Sequence, residues 1–253
     1  DGIRDIGVTG VQTCALPISS TYGNSEALEY IMGIDIDASG TIYATGMFNG
    51  AATVSFGNAT ASLSAAGPQN TCILQVGGTG TLGWAKQFTS TFLNAGLGIN
   101  VMPSGRLAVR GFLHTNQTDF DPGPGTAYGQ PKGLSDGYLA VLEGDGTYVW
   151  STVFGTSAED GPGGLAVDAS GAIYLAGHFG ANYNGKTIDL DPGAGVASFT
   201  SAGDGDVYVV KLTAAGGYVW GQRVGGTGLD QSVAARLTPQ GNLLIAGMFR
   251  NTV

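Results

Sequence analysis

The chain has 253 residues, 45 of them glycine, with 43% hydrophobic and 11% charged residues and a formal net charge of -9. Glycine at about 18% with no Gly-X-Y period excludes a collagen, and the hydrophobic share is too high for a disordered chain. With 19 Asp and Glu against 10 Lys and Arg there is no basic face for nucleic-acid phosphates, and no run of 18 apolar residues forms a membrane span.

Residues 1–18 read DGIRDIGVTGVQTCALPI. Val8–Ile18, VTGVQTCALPI, resembles the frame translation of a sequencing-library adapter, and Asp1–Asp5 fits the constant part upstream of its index. The resemblance implies that residues 1–18 are an artefact rather than native protein. The alternative is a secretory signal, but Thr9, Gly10, Gln12, Thr13 and Cys14 interrupt its apolar run. With that segment set aside, Cys72 is the only thiol and residues 19–253 can form no internal disulfide. The expectation is a fragment of a longer reading frame.

Residues 19–253 read as repeats. Turn pairs recur at Ser39-Gly40, Ser104-Gly105, Ser170-Gly171 and Gln240-Gly241, and Trp84, Trp150 and Trp220 follow at matching spacings of 66 and 70 residues. Cys72, Tyr138 and Tyr208 lie twelve residues before each Trp. These landmarks place units at about 22–88, 89–154 and 155–224, with a fourth, truncated, over 225–253. In the first unit the predicted strands are Gly33–Asp37, Thr41–Phe48, Cys72–Val76 and Gly83–Phe88. In the third they are Leu165–Asp168, Ala172–Phe179, Asp206–Leu212 and Gly217–Val224, with an inserted hairpin within Gly180–Asp204. DVYVVKL is apolar on both faces, as a buried strand requires. No segment sustains a helical period. The fold class expected is all-β: a β-propeller fragment of four-stranded antiparallel blades, about 3.5 repeats of 65–70 residues. An open β-solenoid or a tandem array of sandwich domains is the alternative.

The third unit's GLAVDASGAIYLAGHF, DGDVYVVKL and GYVWGQRVGGTG carry a family likeness, as do IDIDASGTIYATGMF in the first and DFDPGPGT and SDGYLAVL in the second. These stretches are similar to the β-propeller repeat often labelled SBBP, found in bacterial surface and secreted proteins. Over residues 22–253 the resemblance implies propeller blades and a secreted or cell-surface setting, and it implies no enzyme activity. The first unit departs from it, with Val54–Gly57 (VSFG) where the others carry DxDPG.

The most suggestive chemistry lies in Asp119-Phe-Asp121-Pro-Gly123 and Asp189-Leu-Asp191-Pro-Gly193. Residues two apart on a strand share a face, so each carboxylate pair would converge beside a carbonyl-rich turn, a donor set suited to Ca²⁺. The competing and favoured reading is a plain turn, with Asp capping it, Pro fixing φ and Gly adopting positive φ. Asp35, Asp37 and Asp168 read as caps of the Ala-Ser-Gly turns. The recurring Trp positions, with Tyr138 and Tyr208, read as packing rather than sugar platforms. His114 and His178 are too far apart in the sequence, with too few partners, to suggest a triad or a zinc site.

The expected function is a non-catalytic binding scaffold for a protein or carbohydrate ligand, with calcium as its one candidate cofactor. Nucleic-acid partners and a membrane span are not expected. The alternatives are the scaffold of a propeller enzyme, such as a lyase or glycan hydrolase, and a structural repeat of an elongated adhesin.

Overall fold

A computed structural model describes residues 30–251. The adapter-like residues 1–18 lie outside the described residues. All regular structure described is β, with twenty strands, mostly antiparallel, and no helix. No helix long and apolar enough to cross a membrane therefore occurs among the described residues.

The first unit runs through β1 (Tyr30–Ile36), β2 (Ile42–Phe48), β3 (Ala51–Phe56), β4 (Ala59–Ser64), β5 (Asn70–Val76) and β6 (Leu82–Ser90). β1-β2-β5-β6 form an antiparallel meander, and β3-β4 is a hairpin inserted in its middle. The second unit repeats the order with β7 (Asn94–Val101), β8 (Leu107–His114), β9 (Thr118–Asp119), β10 (Tyr128–Gly129), β11 (Ser135–Leu142) and β12 (Tyr148–Phe154). β7-β8-β11-β12 is its meander and β9-β10 its insert. The third follows with β13 (Glu159–Val167), β14 (Ile173–Ala181), β15 (Thr187–Asp189), β16 (Ser198–Thr200), β17 (Asp206–Leu212) and β18 (Tyr218–Val224). Its meander is β13-β14-β17-β18, its insert β15-β16. β19 (Gln231–Leu237) and β20 (Leu243–Met248) begin the pattern again.

The repeated turns explain the repeated sequence. The first two strands of each unit are joined through Gly40, Gly105, Gly171 or Gly241, whose φ angles are 85°, 82°, 82° and 83°. Side-chain-bearing residues reach that region only with strain. Each first strand also has a register irregularity at one equivalent place: Ile31/Gly33, Gly96/Gly98, Pro162/Leu165 and Ser232/Ala234. The irregularity lets β13 accept Pro162, so β13 starts at Glu159 rather than at the expected Leu165.

The sheets stack through both faces. Phe88 of the first unit packs with Leu107, Val109, Leu113, Phe120 and Tyr138 of the second. Leu139, Val141 and Phe154 pack with Leu175, Phe179 and Tyr208 of the third. Strand alternation sends neighbouring residues of β11 to opposite cores, which is why Tyr138–Leu142 lacks a polar face. Three isolated parallel contacts tie the joints: Gln69 with Leu93, Ser135 with Glu159, and Gly205 with Leu229.

Candidate functional site

Asp119 and Asp189 end β9 and β15, while Asp121 and Asp191 lie beyond those strands, so strand alternation does not govern the pairs. The Asp119 carboxylate accepts the amides of Asp121 (3.0 Å) and Ala127 (2.8 Å), and Asp189 accepts those of Asp191 (3.1 Å) and Ala197 (2.8 Å). Asp121 and Asp191 fold back onto the amides of Gly123 and Gly193, each at 2.8 Å. Neither glycine has positive φ, contrary to the turn expected from the sequence. What glycine supplies is room: a Cβ at Gly125 or Gly195 would lie 2.3 or 2.2 Å from the Asp121 or Asp191 Oδ2. Among the described residues no group of three or more His, Cys, Asp or Glu converges to hold a metal.

The two DxDPG turns do not share a site. The Asp119 turn pairs with β6, where Thr89 faces Asp119. The Asp189 turn instead borders a groove of about 480 Å³, shared with Tyr128, Gln130, Lys132 and β12. Tyr128 is 56% exposed, so its ring is free to stack, and Asp189, Asp191 and Lys132 set charges beside it.

Asp37 and Asp168 cap their turns. Each Oδ1 accepts the amide and hydroxyl of the serine two residues on and the amide four residues on, at 2.6–2.9 Å. Partial burial raises the Asp168 carboxyl, but the Ser170 hydroxyl, the Ala172 and Ser170 amides and Lys211 outweigh it and hold it at about 2. Asp35 instead reaches across the first joint to accept the Val101 amide at 2.8 Å. The Asp37 and Asp168 turns and Met102–Pro103 surround one mouth of about 590 Å³.

The histidines, which the sequence kept apart, meet. His114 and His178 line one pocket of about 320 Å³ with Ser135, Glu159 and Asp160. The His114 Nδ1 is 2.9 Å from the Leu134 carbonyl. The His178 Nδ1 is buried without a partner, and burial lowers its pKa against the pull of Asp160 and Glu159. Ser135 brings a hydroxyl to the same pocket, and Glu159 and Asp160 bring carboxylates beside the two rings.

Behind this pocket lies a carboxyl pair. Asp136 is fully buried beside Asp160, itself 2% exposed. Oδ2 of Asp136 accepts the amides of Lys132 and Gly133, while its Oδ1 has no donor. Burial pushes Asp136 up to about 7; those amides pull it down, and the adjacent Asp160 adds to the rise. Asp160 accepts the Thr156 hydroxyl and the Thr156 (2.5 Å) and Gly180 (2.6 Å) amides. Amide and hydroxyl donors already occupy three of the pair's four oxygens. The positions were legible, since Asn70, Asp136 and Asp206, and likewise Asn94, Asp160 and Asp230, recur at the unit spacing.

Of the aromatic landmarks, Trp84 and Trp150 pack against the cores, and the Trp150 indole N–H donates to the Ala214 carbonyl at 3.2 Å. Trp220 is 37% exposed beside Tyr174. Tyr138 and Tyr208 are fully buried. The chain matches no protein-family model and no curated protein.

Proposed function

We propose that the chain is a β-propeller repeat module of the SBBP type, from a secreted or cell-surface bacterial protein, and that it serves as a non-catalytic scaffold for a protein or carbohydrate ligand. One observation carries this reading. Three four-stranded meanders repeat with matching turns and joints, and their first strands, with β19, meet at one cavity while the inserts between strands differ. A constant frame with variable inserts is what a binding scaffold needs. The groove holding Tyr128, Lys132, Asp189 and Asp191 favours a sugar or a polar peptide, through ring stacking and hydroxyl or amide hydrogen bonds.

Small-angle scattering tests the arrangement: a compact chain of this length has a radius of gyration of about 18 Å, and a stalk-like stack would exceed that clearly. Glycan and peptide arrays test the role. Binding that Tyr128→Ala abolishes supports it, and no binding to either array refutes it. A second reading, a propeller enzyme, is favoured by the pocket that gathers His114, His178, Glu159 and Asp160. Turnover of a bound glycan that His178→Ala removes would establish it. Calcium remains the proposed ligand of the DxDPG turns if millimolar Ca²⁺ raises the melting temperature and Asp121→Ala with Asp191→Ala removes the rise; the carboxylate-to-amide bonds within each turn favour the plain turn.

A further inference from the structure

The cavity where β1, β7, β13 and β19 meet has a volume of about 340 Å³. Gly33, Gly98, Gly164 and Ala234 stand at equivalent places in its wall, so the four strands approach closely. In a chain where acids outnumber bases 19 to 10, its lining holds two charged side chains, Arg110 and Arg236, and no carboxylate. Asn100 adds an amide.

Arg110 is unlike the arginines that form ion pairs. Arg106 is 2.8 Å from Glu143 and Arg223 is 2.6 Å from Asp206. Arg110 and Arg236 make no ion pair or hydrogen bond with any described residue. Gly98 makes the room, since a Cβ there would lie 2.7 Å from the Arg110 Nε and 3.1 Å from an Nη. The fold does not need this side chain: Gly33 faces Thr45 and Ala234 faces Ala246 at the same register where Gly98 faces Arg110. Burial lowers the Arg110 pKa, but a guanidinium stays charged in proteins, so its five donors remain to be satisfied.

We propose that this cavity binds an oxyanion, the carboxylate, sulfate or phosphate group of a small ligand, on the Arg110 guanidinium with Arg236 beside it. The planar fork of arginine matches two oxygens of such a group, and a partly desolvated setting strengthens that contact. The site stands apart from the insert groove, so it holds or fails independently of the scaffold reading.

Thermal unfolding of the full chain at pH 7 and constant ionic strength tests it, with chloride replaced by millimolar sulfate, phosphate or acetate. The expected result is a saturable rise of several degrees with at least one anion, which is lost in Arg110→Thr and kept in Arg106→Gln. The most effective anion identifies the group the ligand carries. No rise with any of the three, or an equal rise in Arg110→Thr, overturns the proposal; nonspecific salting would give the latter. Should Arg110→Thr fail to fold, Arg110→Lys keeps the charge without the fork and must weaken anion binding several-fold, and unchanged binding overturns the site.

Discussion

Asp136 meets Asp160 where the second and third units join, and Asp206 sits beside Asp230 where the third joins β19 and β20. Both joints bury two acids, yet they are balanced differently. Across from Tyr208, β18 carries Arg223, whose guanidinium lies 2.6 Å from Asp206. Across from Tyr138, β12 carries Val153 at the same register, so no cation reaches Asp136. The first joint avoids the problem with amides. Asn70 accepts the Ala66 amide (3.0 Å) and donates to the Gln69 (2.8 Å) and Ser90 (2.9 Å) carbonyls. One geometry is thus satisfied by a neutral amide, by a proton and by an arginine. Two buried charges need compensation, and the fold leaves its form to one cross-strand residue.

The largest expected effect is on the proton-balanced joint. The folded-state pKa of Asp136 lies above its unfolded value, so its stabilising contribution is complete below about pH 4 and is lost as pH rises to about 7. Glu159, His114, His178, Lys132 and Tyr208 surround the pair and modulate that window. Urea unfolding should show a loss on the order of 2 kcal/mol between pH 5 and pH 8. Asp136→Asn, which copies the first joint, should flatten the slope. An equal slope in that variant would assign the pH dependence elsewhere.

Breaking the arginine-balanced joint should have a comparable but slightly smaller effect. Arg223→Met leaves Asp206 buried with no cation, at a cost of about 2 kcal/mol at pH 8. Arg223→Lys, which keeps a cation across from Tyr208, should recover part of that loss, and no recovery would assign the effect of Arg223 to packing alone.

The tyrosines sharpen the contrast further. The Tyr138 hydroxyl bonds Thr71 (3.0 Å) and the Ala95 carbonyl (3.2 Å), whereas Gly137 replaces Thr71 at the next joint and the Tyr208 hydroxyl is buried without a partner. Tyr138→Phe should therefore cost about 1 kcal/mol, while Tyr208→Phe should be neutral or stabilising. Equal losses at the two positions would contradict the assigned hydrogen bonds. The smallest effect belongs to the exposed Asp168 turn. Its carboxyl is held low, so its contribution is present above about pH 4 and fades as pH falls toward 2. Asp168→Asn should leave stability at pH 7 within about 0.5 kcal/mol.

Much of this was determined by the sequence alone. The repeat spacing, the glycine turns, the doubly apolar strands and the all-β class follow from local rules: a positive φ needs glycine, and a strand alternates its faces. The sequence places the start of β13 at Leu165 because Pro162 reads as a strand breaker until a bulge accommodates it. Tertiary structure alone decided what lies far apart in the chain. It brought His114 to His178, Asp136 to Asp160, and Arg110 into a cavity without acids. The sequence named those residues but not their neighbours. Burial sets the balance of charge, and burial depends on which sheet faces which.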